Sequence, residues 1–176
     1  MTTNLELARE VGAHVVLRSI TLRNAHIDSN LNPLHVPSDV AMTQGYRSSF
    51  SQHEEDGRKQ LIVLTDFKFS AKVGAGDNSD AEGVEQSDED LVALEATFQL
   101  IYSLPLELTV DEECYKHFAE INGPYNAWPY WRELVQSVTG RVGLAGITIP
   151  VFRPPKIEIQ KQEKKIAKEK KTKATK

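Results

Sequence analysis

The sequence has few of the residues that build disulfides, metal centres and covalent active sites. Its 176 residues include one cysteine, Cys114, so no disulfide forms within a chain, as is usual in a reducing compartment. The five histidines have no metal-ligand spacing, and a single cysteine cannot build a structural zinc site. Cys114 itself lies on the apolar stripe of a predicted helix, where cysteine is usually an inert hydrophobe. We therefore expect no catalytic residue and no metal site.

Phosphate-binding loops and long apolar runs are also absent. The stretch GAGDNS, at 74–79, lacks the spacing and the Lys-Ser/Thr ending of a phosphate loop, so we expect no nucleotide cofactor. No apolar run approaches the roughly 18 residues of a membrane span, and the N-terminus lacks the apolar core of a secretory signal. These features predict a cytoplasmic globular protein without stable membrane insertion.

The net charge of −4 conceals two parts of opposite sign. Residues 156–176 hold nine lysines and three glutamates, whereas the preceding residues carry 12 basic and 22 acidic groups. Charge runs with few apolar residues are usually solvated, although such an arm could also dock on an acidic surface. The run lacks interleaved aromatics, so we expect no nucleic-acid partner. We divide the chain into an N-terminal segment (1–13), a domain (14–153) and a basic, disordered tail (154–176).

Alternating apolar and polar residues predict an antiparallel sheet. Two segments, 61–73 and 91–104, each have one apolar face, and an acidic connection (74–90) makes them natural neighbours. Residues 14–28 form another predicted strand, and a weaker one lies near 46–52. Between them, residues 31–45 contain two prolines and predict a long crossing connection.

Two helices are predicted after the strands. Thr109 and Glu112 have capping-box spacing at the start of the first, and NGPYN (122–126) is expected to end it. Pro129 suits the first turn of the second helix. Its apolar stripe consists of Trp128, Trp131, Val135 and Val138. Strands followed by helices predict an α+β fold, in which two helices pack on one face of a four-stranded antiparallel sheet.

One motif resembles a known family. Trp128-Pro129-Tyr130-Trp131-Arg132-Glu133, followed by Ser137, Arg141 and the segment LAGITIPVF, resembles the signature helix of the SecB export chaperones. The specific match covers roughly 126–152, and upstream only the order and spacing of strands agree. Pro150 corresponds to the family's proline, one position earlier than in the best-known members.

The resemblance implies a chaperone rather than an enzyme. SecB proteins are homotetramers, built as dimers of dimers, that hold non-native polypeptides in hydrophobic grooves without ATP and deliver them to SecA, the translocase motor. Other members serve antitoxins. Plain packing of the connection onto the core is an equal alternative to the implied groove. The residues that the resemblance assigns to client binding are Leu31, Leu34, Val36, Val40, Met42, Tyr46 and Tyr130. It assigns Trp128, Trp131, Val135 and Val138 to the core or the oligomer interface.

Two departures bear on the partner. The first strand offers Arg18, Arg23 and Asn24 where SecB proteins carry acidic residues, and the tail is basic. No SecA-contacting residue can therefore be carried over. Beside export, the sequence leaves two hypotheses open: a chaperone dedicated to an antitoxin or another single client, and a scaffold for one fixed partner.

Overall fold

The structure, a computed structural model, describes residues 3–32, 34–74, 90–144 and 147–153. The predicted tail (154–176) and most of the acidic connection lie outside the described residues. No helix within these four ranges is long and apolar enough to cross a membrane. The elements, in chain order, are α1 (Asn4–Gly12), β1 (Val16–Ser29), β2 (Val40–Glu55), β3 (Arg58–Val73), β4 (Val92–Leu104) and α2 (Glu112–Val142).

The four strands form one antiparallel sheet in the order β1-β4-β3-β2. β1 and β2 follow each other in the chain but occupy opposite edges, so the connection between them crosses the sheet, as predicted. That connection is shorter than expected, because β2 begins at Val40. Val40 and Met42 are therefore strand residues, and Pro37 precedes the strand.

The turn between β2 and β3 contains two residues. Asp56 and Gly57 both have positive φ angles, 50° and 69°. Two left-handed residues form the type I′ turn whose twist matches that of antiparallel strands, and Asp-Gly is a preferred sequence for it. The turn fixes the pairing of Glu55 with Arg58, and the register continues without a shift to Val40 and Val73.

The core lies between the central strands and α2. Every second side chain from Leu61 to Ala71 and from Val92 to Leu104 is buried on this helix-side face, as the alternation predicted, whereas Val73 at the end of β3 is exposed. The buried apolar residues of the two strands are Leu61, Val63, Phe67, Phe69, Ala71, Val92, Leu94, Ala96, Phe98, Leu100, Tyr102 and Leu104.

The prediction of two helices after the strands was wrong in one respect: α2 is a single helix of 31 residues. Pro124 and Pro129 lie inside it. An internal proline removes a hydrogen bond and costs about 3 kcal/mol, but full burial of a large apolar side chain contributes a similar amount. Trp128 and Trp131, on either side of Pro129, are both buried, so packing against the sheet outweighs the local preference.

The second helix of the fold is at the N-terminus. α1 was not predicted, and it packs against α2 through the buried residues Ala8 and Val11. A capping box joins Thr3 and Glu6. The capping box predicted at Thr109 does not form, because α2 begins after Asp111, which makes no side-chain cap bond.

Candidate functional site

An apolar surface lies where β2 projects beyond the cover of α2. Met42 and Tyr46 pair with Ala71 and Phe67, which are buried on the helix-side face, so all four side chains point to the same side of the sheet. Yet Met42 is 51% exposed and Tyr46 is 41% exposed. α2 therefore leaves these side chains, which point to the core side of the sheet, exposed to solvent at the β2 edge.

Aromatic rings from α2 and from the segment after it extend this apolar surface. The Tyr46 ring centroid lies 5.6 Å from that of Phe152 and 6.4 Å from that of Trp128. Phe152 also contacts Trp128 at 5.1 Å and Tyr125 at 6.2 Å. We call Met42, Tyr46, Tyr125 and Phe152 the β2-side surface. Its members come from a strand, a helix and the segment after the helix.

Two side chains of α2 hold that last segment in place. Trp128 Nε1 donates to the Pro150 carbonyl at 2.8 Å, and Arg132 Nε donates to the Ile149 carbonyl at 2.8 Å. Ile149 is buried, and farther along the same segment Phe152 lies beside Tyr46. Trp128 and Arg132 are four residues apart, so they lie on one side of the helix. The aromatic and arginine positions of the sequence motif thus have a positioning role in this chain.

The predicted client-binding residues of the connection divide into two groups. Leu34 is 85% exposed and Val36 is 46% exposed. Leu31 and Val40 are half-buried and pack against the core. The structure therefore supports plain core packing for two of these side chains and leaves the other two open to solvent.

Tyr130 lies on the other side of α2 from the β2-side surface. Its ring contacts Phe98 on β4 at 6.4 Å, and β4 is two strands away from β2. Phe98 pairs with Leu22 of β1, which is 48% exposed. On the same face of β1, Leu17 and Ile27 are 39% and 46% exposed. Tyr130 and these three residues form a second apolar area, the β1-side surface.

The helix residues predicted as core or interface are covered within one chain. Trp131 and Val135 are fully buried, and Trp128 and Val138 are nearly so. The Trp131 ring stacks on Phe67 with centroids 5.1 Å apart and planes 13° apart. Since their own sheet encloses these side chains, they are placed to stabilise the protomer.

The opposite face of the sheet is hydrophilic. Arg47 Nε donates to Asp66 at 2.9 Å, and Thr97 Oγ1 donates to the same carboxylate at 2.7 Å. Burial acts to raise the pKa of Asp66, but these hydrogen bonds outweigh it and hold the pKa below its usual value. The hydrogen bond and charge of Lys68 lower the pKa of Glu95. This face carries paired charges rather than an acidic row.

Outside these surfaces, the described residues that could take part in catalysis or ligand binding are not arranged for it. Burial, followed by the hydrogen bond to Glu10, raises the pKa of the Cys114 thiol, which disfavours a nucleophilic thiolate. His117 contacts Glu120 at 3.1 Å. A cavity of about 210 Å³ lies between α2 and Thr148 and is smaller than the roughly 300 Å³ at which ligand pockets begin. Within the described ranges, no three His, Cys, Asp or Glu side chains are grouped to hold a metal.

Sequence reasoning missed two members of the β2-side surface, Tyr125 and Phe152. Tyr125 lies in NGPYN, which was interpreted as a helix break, and Phe152 belongs to a segment whose position depends on Trp128 and Arg132. The aromatic residues themselves were the available signal. Their convergence on Tyr46 is a tertiary contact without a local pattern.

Comparison with known proteins identifies the fold. No protein-family model and no curated protein matches this sequence. The structure is similar to the SecB-like chaperone Rv1957 of Mycobacterium tuberculosis, which was solved in complex with a ChAD peptide from the Rv1956 HigA1 antitoxin. The TM-score is 0.60 at 17% sequence identity, covering 85% of this chain and 99% of the other. This chain has a SecB-like fold.

The SecB-like fold confirms the resemblance seen in residues 126–152 and the predicted α+β architecture. In this fold, two helices lie on one side of the four-stranded sheet. They are α2 and the N-terminal α1, whereas the sequence predicted that both helices would follow the strands. The β2-side and β1-side surfaces flank the long helix.

Proposed function

We propose that this protein is an ATP-independent holdase chaperone that binds apolar segments of non-native polypeptides. The β2-side surface is the observation that supports this most strongly. Met42 and Tyr46 are core-facing residues left uncovered, and Tyr125, which also belongs to this surface, is 59% exposed. Methionine and aromatic side chains adapt to many partners, which suits a surface that accepts varied sequences. Binding of this kind requires no catalytic residue and no cofactor.

Two kinds of client remain as proposals within this function. In export, the chaperone would work in the cytoplasm and deliver clients to SecA. The hydrophilic face of the sheet carries the cations Arg18, Arg23, Arg47 and Lys68. It therefore offers SecA no row of acidic residues. Antitoxin binding is favoured instead by the similar structure, which contains an antitoxin peptide.

A homotetramer, as a dimer of dimers, completes the proposal. Leu17, Leu22 and Ile27 on the helix side of β1 leave an apolar row at the sheet edge opposite the proposed client surface. Exposed apolar areas of this kind usually mark contacts between chains. Association through the β1-side surface would leave the β2-side surface free for clients.

The test is suppression of aggregation. An unrelated unfolded protein is diluted into buffer without nucleotide, with and without this chaperone, and light scattering and oligomer mass are recorded. We expect suppression at near-stoichiometric tetramer, and loss of most of it for a Met42→Ser/Tyr46→Ser double variant.

The matched control is Leu106→Ser. Leu106 is 52% exposed, like Met42, but it lies in the loop before α2. That loop is near the turn that joins β2 to β3, at the other end of β2 from Met42. This variant should retain full suppression. An oligomer that suppresses nothing, but binds one antitoxin, would support a dedicated client; an oligomer without either activity would support a scaffold instead.

A further inference from the structure

Within the part of the chain that the structure describes, β2 is an edge strand, and it lacks several of the features that usually block strand addition. Exposed edges are normally protected by lysine, proline or bulges. β2 contains no lysine and no proline, and its pairing with β3 runs through 16 residue pairs without a register shift. β1, the other edge, has register shifts at Arg18 and Arg23. The two edges therefore differ in their capacity to accept another strand.

The turn at Asp56 and Gly57 determines which backbone groups β2 leaves unpaired within the sheet. In a two-residue hairpin, the residues that flank the turn form a hydrogen-bonded pair, and bonded and non-bonded pairs then alternate. Glu55, Arg47 and the other odd-numbered residues of β2 thus bond to β3. The even-numbered residues, including Met42, Gln44 and Tyr46, point their N–H and C=O groups away from the sheet.

These outward-pointing groups lie where solvent reaches both faces. Residues 41–47 are all exposed, over a length of roughly 23 Å at about 3.3–3.4 Å per residue. On the helix side, Met42 and Tyr46 present apolar groups, and Phe152 continues them. On the other side lie the small residues Ala41, Thr43 and Gly45, followed by Arg47, which is paired with Asp66.

We propose that β2 binds its polypeptide partner by strand addition: an extended segment with alternating apolar and polar residues pairs with 41–47 as a fifth strand. Its apolar side chains lie against Met42, Tyr46 and Phe152, and its backbone bonds to the even-numbered residues. A second copy of β2 fits less well, because it would bring Gln44 and Ser48 to the apolar side. The inference rests on the proposed polypeptide-binding function and specifies how the segment is recognised.

The first test uses a fluorescent nine-residue peptide of alternating leucine and serine with blocked ends. Two derivatives carry N-methyl groups, one on every leucine and the other on every serine. Strand addition predicts that one derivative binds at least about tenfold more weakly, because each lost backbone hydrogen bond costs several-fold in affinity. The other derivative should bind within about twofold of the parent, because its methyl groups face solvent. Loss in the leucine set indicates antiparallel pairing, and loss in the serine set indicates parallel pairing.

The second test changes the protein. Gln44→Pro removes one outward N–H, which edge strands tolerate, and should weaken binding of the unmethylated peptide several-fold. The control Gln52→Pro removes an equivalent N–H farther along the edge and should bind like the wild type; melting curves establish that both variants fold.

Equal effects of the two methylated sets, or equal binding by both proline variants, would overturn strand addition while leaving the holdase function intact. A change of oligomer mass in Gln44→Pro would also overturn it, by assigning the edge to a second copy. Failure of the wild-type protein to bind the parent peptide or to suppress aggregation would refute the proposed function itself.

Discussion

Gly123 permits a close approach of α2 to the sheet, and its replacement by alanine should destabilise the protein. A Cβ at this position would lie 2.7 Å from Thr65 Oγ1, 3.0 Å from Val63 Cγ1 and 3.1 Å from Ser48 Oγ. Thr65 is fully buried and hydrogen-bonded to Ser48 at 3.1 Å. The new methyl group therefore has no direction in which to displace its neighbours without breaking that contact.

The magnitude follows from two opposing effects. Alanine gains about 0.8–1 kcal/mol over glycine in a helix interior. Inserting a methyl group into a packed core costs about 1–3 kcal/mol. The net change for Gly123→Ala is a loss of up to about 2 kcal/mol in the free energy of unfolding.

Gly140 provides the matched control in the same helix. A Cβ there meets nothing within 4 Å, so Gly140→Ala should gain the full helical contribution and raise the stability. Denaturant unfolding of both variants measures the difference, which we expect to be about 1–3 kcal/mol, the cost of the close contact. A Gly123→Ala protein as stable as Gly140→Ala would refute the argument that packing at this crossing requires glycine.

Three further changes test the core, the pH response and the hairpin. Trp131→Ala should cost about 3–5 kcal/mol in a denaturant titration, whereas Tyr130→Ala, at a half-exposed neighbouring position, should cost far less. Burial raises the pKa of Tyr102 to about 12 from 10.0, so the unfolded state loses this proton first, and stability falls by up to about 3 kcal/mol as the pH rises from about 10 to 12. Stability measured across that range should fall less steeply in Tyr102→Phe. Gly57→Ala, at a φ of 69°, should cost about 1–2 kcal/mol, while Gly45→Ala in the adjoining strand meets no atom within 4 Å and should cost less. Equal melting temperatures for the two glycine variants would contradict the left-handed strain.

The sheet could be predicted from the sequence because its central strands bury one face. Residues 61–73 and 91–104 each carry apolar side chains along one face, and that face is the one buried under α2. β2 was harder, because both its faces are exposed at 41–47 and alternation there reports no burial. The Asp56-Gly57 pair was the signal for its far end.

The helices show where local rules fail. Pro124 and Pro129 predict interruptions, yet burial of Trp128 and Trp131 on the sheet maintains one helix. α1 was missed because only Ala8 and Val11 of its nine residues are buried.

The candidate site could be predicted only in part. The resemblance assigned Met42 and Tyr46 to client binding, and both side chains are exposed at the edge of the sheet. It also assigned Tyr130, which is 50% exposed. The assignment of Tyr130 to the same surface as Tyr46 has no support in the structure, because the two residues lie over different strands. Proximity across a sheet depends on strand order, which alternation does not encode.

The positions of the two tryptophans give this protein an internal optical probe. They are the only tryptophans in the sequence, and they lie one helical turn apart. Trp131 is buried between α2 and the sheet, where it stacks on Phe67, whereas Trp128 contacts both Tyr46 and Phe152 at the proposed binding surface. Emission from a Trp131→Phe variant would therefore come from Trp128 alone. Its wavelength should shift when a segment displaces water from Tyr46, so that binding can be followed in real time without a label on either partner.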